Sequence, residues 1–161
     1  MRHISIALVS IGLPIKCGLY ENNILIKEMV SDDLPLIALP RIFESLLPTP
    51  KQNAMYRDTK IESIYYANGP GSFTALKLTH IFLHTLAMIY DIKLFATSSF
   101  YFTSDSYIKA FGTTYFYCDC NGNISLAHNI APKNASLFLP KTLDIARFHA
   151  HTQPLYILPP I

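Results

Sequence analysis

The chain has few charges and no familiar phosphate motif. Only 15% of its 161 residues are Asp, Glu, Lys or Arg, and the net charge is +2. Its lysines and arginines are scattered singly, so the concentrated basic patch of a nucleic-acid grip is missing. No Gly-x-x-x-x-Gly-Lys-Ser/Thr run occurs, which excludes a P-loop, and the Gly-x-Gly-x-x-Gly dinucleotide fingerprint is absent too. No recognisable loop carries paired acid and base carboxylates; Asp58, Asp91 and Asp119 stand alone and read as loop or cap residues. Ser72 has no neighbouring base in the sequence to activate it. There is no internal repeat or low-complexity segment. Cysteine is scarce: Cys17, Cys118 and Cys120 are too few for a zinc site of their own and read as free thiols of a reducing compartment. Cys118 and Cys120, two positions apart in an expected strand, would point the same way.

What is abundant is apolar. Half of the residues are hydrophobic, with ten Tyr and ten Phe. Either the core is large for the chain, or a partner covers apolar surface. The run from Arg2 to Ile15 is interrupted by Pro14 and followed by Lys16, so it reads as a first strand and not as a signal peptide. No membrane span is expected. The longest apolar stretch, Phe73 to Tyr90, contains Lys77, His80 and His84.

The pattern predicts three strands first, Ile4 to Ile11, Ile15 to Tyr20 and Asn23 to Val30, joined tightly enough to form an antiparallel meander. A helix to Leu47 follows, capped by Asp32 or Asp33, with Pro35 in its first turn and Pro40 expected to kink or split it. Pro48 to Lys60 reads as a loop. Then come a strand at Ile61 to Ala67, a helix at Phe73 to Tyr90, a strand at Ile92 to Ala96 and a helix from Ser98 to Ala110. Strand, helix and strand joined by short loops imply a parallel crossover. Beyond Gly112, Thr114 to Asp119 and Ile124 to Ala127 read as a hairpin turning at Asn121-Gly122. Ala131 to Pro140, a helix at Thr142 to His149 and a strand at Leu155 to Leu158 complete the reading. The expected division is a first lobe at 1–111 and a reduced second lobe at 112–161.

The segment Asn68-Gly69-Pro70-Gly71-Ser72-Phe73-Thr74 lies between a strand and a helix. Glycines there permit close backbone approach, and N–H groups at a helix start can face an anion. Gly69, Pro70, Gly71, Ser72, Phe73 and Thr74 are therefore phosphate-loop candidates, although most such turns are only turns. Along the following helix, Lys77, His80 and His84 form one polar stripe while Leu76, Leu78, Ile81, Phe82, Leu83, Leu86, Met88 and Ile89 fill most of the rest. His80 and His84 have metal-pair spacing but lack both a third ligand and an intervening glutamate, so no metal site is expected. His149 and His151 read as solvated.

The run from Tyr66 through Phe100 resembles the bacterial TsaB (YeaZ-like) family, which has Gly-Pro-Gly-Ser-Phe-Thr-Gly-Leu-Arg, a helix, and a strand ending in Ser-Ser-Leu. Pro154-Leu155-Tyr156 adds weaker support from that family's Pro-x-Tyr-Leu-Arg ending. Ala75 and Lys77 depart mildly from the pattern. Val9 stands where relatives carry an aspartate, which argues against an independent metal–nucleotide site in the first lobe. The resemblance implies an α/β ASKHA (actin-like ATPase, RNase H-like) fold of order βββαβαβα. It also implies a non-catalytic, cytoplasmic subunit that binds TsaD, with TsaE as a further partner, in the complex making N6-threonylcarbamoyladenosine at tRNA position 37. Under it, tRNA is met only through the complex, and ATP or ADP would sit at the junction with TsaD instead of binding tightly to this chain alone. The implied interface is a helix bundle, for which Ile42, Leu46, Leu76, Lys77, His80, Ile81, Leu83 and His84 are the candidates. Two alternatives stand beside it. One is a stand-alone small ASKHA-type nucleotide-binding enzyme or glycoprotease-like hydrolase; the other is a homodimeric structural protein joined through the same helices.

Overall fold

In the computed structural model, which describes residues 1–130 and 136–157, a five-stranded sheet forms the centre. Its strands are β1 (Arg2–Val9), β2 (Ile15–Glu21), β3 (Ile24–Ser31), β4 (Thr59–Ala67) and β5 (Lys93–Thr97), in the order β3-β2-β1-β4-β5. The first three make the antiparallel meander, turning through Asn22 and Asn23, both at positive φ. β4 runs parallel to β1, and β5 parallel to β4. The sheet is therefore mixed, as the strand–helix–strand pattern implies.

The central strands are apolar on both faces. On β1, Ile4, Ile6 and Leu8 belong to one core cluster while Ala7 and Val9 belong to another. β4 divides the same way, with Ile64 and Tyr66 on one side and Tyr65 and Ala67 on the other. Strands buried on both faces need two covering layers. Helices α1 (Pro35–Leu46) and α2 (Phe73–Tyr90) supply the first, through Leu39, Phe43, Leu83 and Leu86 among others. The second layer is a smaller antiparallel sheet of β6 (Tyr107–Phe111), β7 (Thr114–Cys118) and β8 (Ile124–Ala127), joined by the segment that carries Leu139, Leu143 and Phe148. The hairpin at Asn121-Gly122 forms as the sequence suggests, with Gly122 at φ +83 and Asp119 accepting bonds from the Asn121 and Asn123 amides.

Several expectations are corrected. α1 continues through Pro40 without breaking. Proline withholds a bond only from the carbonyl four residues back, Leu36, which lies in the helix's first turn. Leu34, not an aspartate, occupies the cap position and makes no side-chain cap bond; Asp33 instead pairs with Arg41 at 3.2 Å. The helix expected over Ser98 to Ala110 is a single 3-10 turn at Ser99–Phe102 followed by strand β6. Side chains redirect the backbone there: Thr103 Oγ1 accepts from the Asp105 amide and Asp105 Oδ1 from the Tyr107 amide. The helix expected at Thr142 to His149 is likewise one 3-10 turn, Ile145–Arg147, capped by Asp144. Residues 155–157 form no strand, although Leu155 bonds Asn68; Leu158 and the first half of the Ala131 to Pro140 stretch lie outside the described residues. Cys120 sits in the turn after β7, so it does not share a strand face with Cys118.

Candidate functional site: the glycine turn and the two helices

The turn from Gly69 to Ser72 leaves the carboxyl end of β4 and starts α2. Ser72 is the N-cap, and its hydroxyl accepts from the Ala75 amide at 3.4 Å. Ser72 and Thr74 are exposed and Phe73 is half-buried, whereas Gly69, Pro70 and Gly71 are buried. The Gly69–Pro70 peptide is cis. Both glycines have an immediate reason. A Cβ on Gly71 would lie 2.5 Å from Ile11 Cβ and 2.7 Å from the Ile11 carbonyl oxygen. Gly69 sits at φ +129, and a Cβ there would meet the Leu155 carbonyl.

The turn is thus packed by its own chain. The Ser72 amide donates to the Ile11 carbonyl at 2.8 Å, and the Gly69 carbonyl accepts from the Ser99 amide at 2.8 Å. On the remaining side lies a strap, residues 149–157. It begins where His149 pairs with Ala96 on the β5 edge. It continues through Asn68 Nδ2, which donates to the Gln153 carbonyl at 2.9 Å, and the Leu155 amide, which donates to the Asn68 carbonyl at 2.7 Å. The ring of Tyr156 then packs on Phe73, with centroids 4.8 Å apart. Among the turn's neighbours, Ser99 is fully buried and its hydroxyl finds no hydrogen-bond partner among the described residues.

The strap also reaches the polar stripe of α2. His80 Nδ1 lies 3.2 Å from the Thr152 carbonyl oxygen and His84 Nε2 lies 3.0 Å from Thr152 Oγ1. Tyr66 donates its hydroxyl to the same Thr152 carbonyl at 3.1 Å. Burial pushes the Tyr66 phenol up to about 12. The two imidazoles are 4.2 Å apart, centroid to centroid. Burial, and then the neighbouring His80, hold His84 below the ordinary histidine value. Both histidines are therefore partnered by Thr152 and not by Ser72. No cluster of three or more metal-binding side chains occurs among the described residues. His149 and His151 are exposed, as their positions suggest.

The interface candidates divide. Leu76, Leu83, Ile42 and Leu46 are buried inside the chain and present little or no surface. An almost wholly apolar helix conceals which of its apolar stripes faces the sheet, and here that stripe is Ala75, Leu76, Thr79, Leu83 and Leu86. Lys77 is exposed, His80 and His84 are half-buried beneath the strap, and Ile81 is exposed. Ile81 belongs instead to an apolar groove between α1 and α2, which Pro35, Leu36, Leu39, Leu78 and Phe82 also line. Two of its lining residues are open to solvent, Leu36 at 72% and Ile81 at 54%, and farther along α2 Met88 and Ile89 are exposed too. The sequence reading missed Leu36. Its signal was an apolar side chain beside Pro35, off the buried stripe of Ala38, Leu39 and Ile42.

Val9, where the aspartate of relatives was expected, is 1% exposed and packs into the core under the second sheet. No carboxylate projects from that position.

No protein-family model matches the chain, and no curated protein matches it. Solved structures do. YeaZ from Pseudomonas aeruginosa superposes with a TM-score of 0.52 over 79% of this chain and 64% of its own, at 16% identity. A second structure, of an uncharacterized protein with similarity to peptidase YeaZ from Pseudomonas aeruginosa, gives a TM-score of 0.51 with the same coverages and identity. This chain therefore shares the YeaZ fold and spans just under two thirds of the length of those proteins.

Proposed function

We propose that this chain is a TsaB-like subunit: an ASKHA-type domain with no catalysis of its own, which docks a TsaD-like protein through α1 and α2. The observation that carries the reading is the open apolar groove between those helices. Leu36 and Ile81 flank it and contribute little to this chain's own core. Apolar surface of that kind calls for a cover. A second helix pair laid into the groove is the cover that the Gly69-to-Thr74 motif and the YeaZ fold suggest. Burial there supplies about 25 cal/mol per Å² before association costs. In this reading ATP or ADP is held at the junction with the partner, and tRNA and TsaE are met through the complex. Neither the turn nor the histidine pair offers an activated nucleophile: Ser72 Oγ is used as a helix cap and both histidines are engaged by Thr152.

The test is light scattering after size exclusion, on this protein alone and mixed with its cognate TsaD, with Leu36→Asp and Ile81→Asp as variants. These positions are exposed, so the variants should stay folded. A mixed complex that both variants abolish supports the reading, as does threonylcarbamoyl transfer that needs both proteins. A homodimer that is lost with the same variants and is indifferent to TsaD would favour self-association instead. A folded monomer that ignores TsaD would overturn the proposal.

A further inference from the structure

One residue of the strap, Thr152, is clasped from three directions. His80 and His84 reach it from α2, and Tyr66 reaches it from β4. Thr152 is 8% exposed, so this contact is the buried anchor of a segment that is otherwise largely open to solvent. The carbonyl of Thr152 can only accept, so His80 Nδ1 must donate to it. His84 Nε2 faces a hydroxyl, which can donate or accept, so that bond survives a change of tautomer or charge. What does not survive is the pair. With ring centroids at 4.2 Å, a second proton would place two imidazolium charges side by side under a cover of protein. The other groups near the pair offer no relief. Lys77 precedes it by one turn on the same stripe of α2, the Tyr66 phenol is neutral, and the strap itself carries His149 and His151. Among the described residues no carboxylate lies within ion-pair distance of His80 or His84.

We propose that the strap is a proton-sensitive latch on the glycine turn, closed over it while the His80–His84 pair holds at most one proton and released when both rings are charged. Release would undo the Leu155–Asn68 and Asn68–Gln153 hydrogen bonds and lift Tyr156 from Phe73. It would uncover the turn, the first residues of α2 and the histidine stripe together. The sign agrees with the chemistry. A base whose affinity for protons is lowered in the closed state stabilises closure above its ordinary value of 6.5 and ceases to do so as pH falls through the lowered one. The latch does not depend on the identity of any partner.

The experiment is hydrogen–deuterium exchange on the full chain at pH 7.5, 6.5, 5.5 and 5.0, corrected for intrinsic rates, comparing peptides from 149–157 with a reference peptide from β1. In the natural protein, strap protection should fall as pH drops from 6.5 towards the lowered His84 value, by at most about tenfold per pH unit for one coupled proton, while β1 stays protected. The double variant His80→Gln/His84→Gln, which retains amide donors but cannot titrate, should show a flat strap profile. Thr152→Val, which keeps the carbonyl and loses the hydroxyl, should raise strap exchange at pH 7.5 several-fold and keep the pH dependence. Three results would overturn the proposal: a strap whose protection does not change down to pH 5.0, an equal fall in the double-glutamine variant, or a fall shared by β1.

Discussion

Replacing Gly69 with alanine probes the turn more sharply than any other single change. At φ +129 an L-residue is strained, at a cost of about 1–3 kcal/mol. The new methyl would also meet the Leu155 carbonyl and lie 3.0 Å from Leu155 Cβ. The turn cannot swing away, because its carbonyls are held on two sides, Gly69 by the Ser99 amide and Asn68 by the Leu155 amide. The protein has two ways to respond. It can keep the strap closed and bear the strain and the clash. Alternatively it can lift the end of the strap while Thr152 stays anchored, losing the Leu155–Asn68 bond at about 1 kcal/mol and the Phe73–Tyr156 contact at about 1 kcal/mol, with some backbone strain remaining. Either route comes to about 2–4 kcal/mol. Urea unfolding followed by circular dichroism should show that loss with an unchanged slope, and hydrogen exchange over 149–157 distinguishes the two routes. Gly12→Ala is the control: nothing lies within 4 Å of its added Cβ and its φ is not positive, so stability should move by less than about 0.5 kcal/mol. The reasoning is refuted if Gly69→Ala unfolds within about 0.5 kcal/mol of the parent.

Other outcomes follow from the same packing. Leu83→Ala should cost about 2–5 kcal/mol, since Leu83 is completely buried between α2 and the sheet, whereas Ile81→Asp on the open side should change stability by less than about 0.5 kcal/mol; paired urea titrations test both. Ser99→Ala removes a buried hydroxyl without a partner and should stabilise the chain by about 1 kcal/mol, read as a higher urea midpoint; a clear loss would show that the hydroxyl is satisfied in solution. Cys17 is fully buried and its thiol is pushed up to about 12 by desolvation, so iodoacetamide at pH 8 should label Cys120 first and Cys17 only after denaturation, as peptide mass spectrometry would report.

Much of the central sheet was legible in the sequence because its signals are local. β-branched and aromatic runs mark β1 and β4, Asn22 and Asn23 mark a tight turn, and the glycine-free run after Ser72 marks α2. The misread stretches, Ser98 to Ala110 and Thr142 to His149, contain no glycine or proline to mark a break, and local side-chain bonds and distant partners shape them. Ile108 is drawn into the core beneath the large sheet, the Leu143 amide bonds Asn23, and His149 pairs with Ala96. The candidate site divides along the same line. The motif from Gly69 to Thr74 can be read directly, but the strap that packs it comes from more than eighty positions later. The polar stripe of α2 looked like an outer face because Lys77, His80 and His84 are polar. It is in fact where Thr152 is anchored, and the open apolar groove lies beside it at Ile81 and Leu36.

Folding order is where the strap has its widest effect. The first hairpin is tied to residues far along the chain: Lys16 Nζ donates to the Leu137 carbonyl, Tyr20 to the Pro140 carbonyl, and the Leu25 amide to the Lys141 carbonyl. The strap then closes on the turn between β4 and α2. An emerging polypeptide can assemble the meander, α1 and the parallel strands early, yet the core on the other face of the central sheet stays incomplete until residues 137–157 join β6, β7 and β8. Contacts of such separation slow folding and lengthen the interval in which apolar strands are uncovered. The second core is therefore completed only when residues 137–157 join strands laid down far earlier in the sequence.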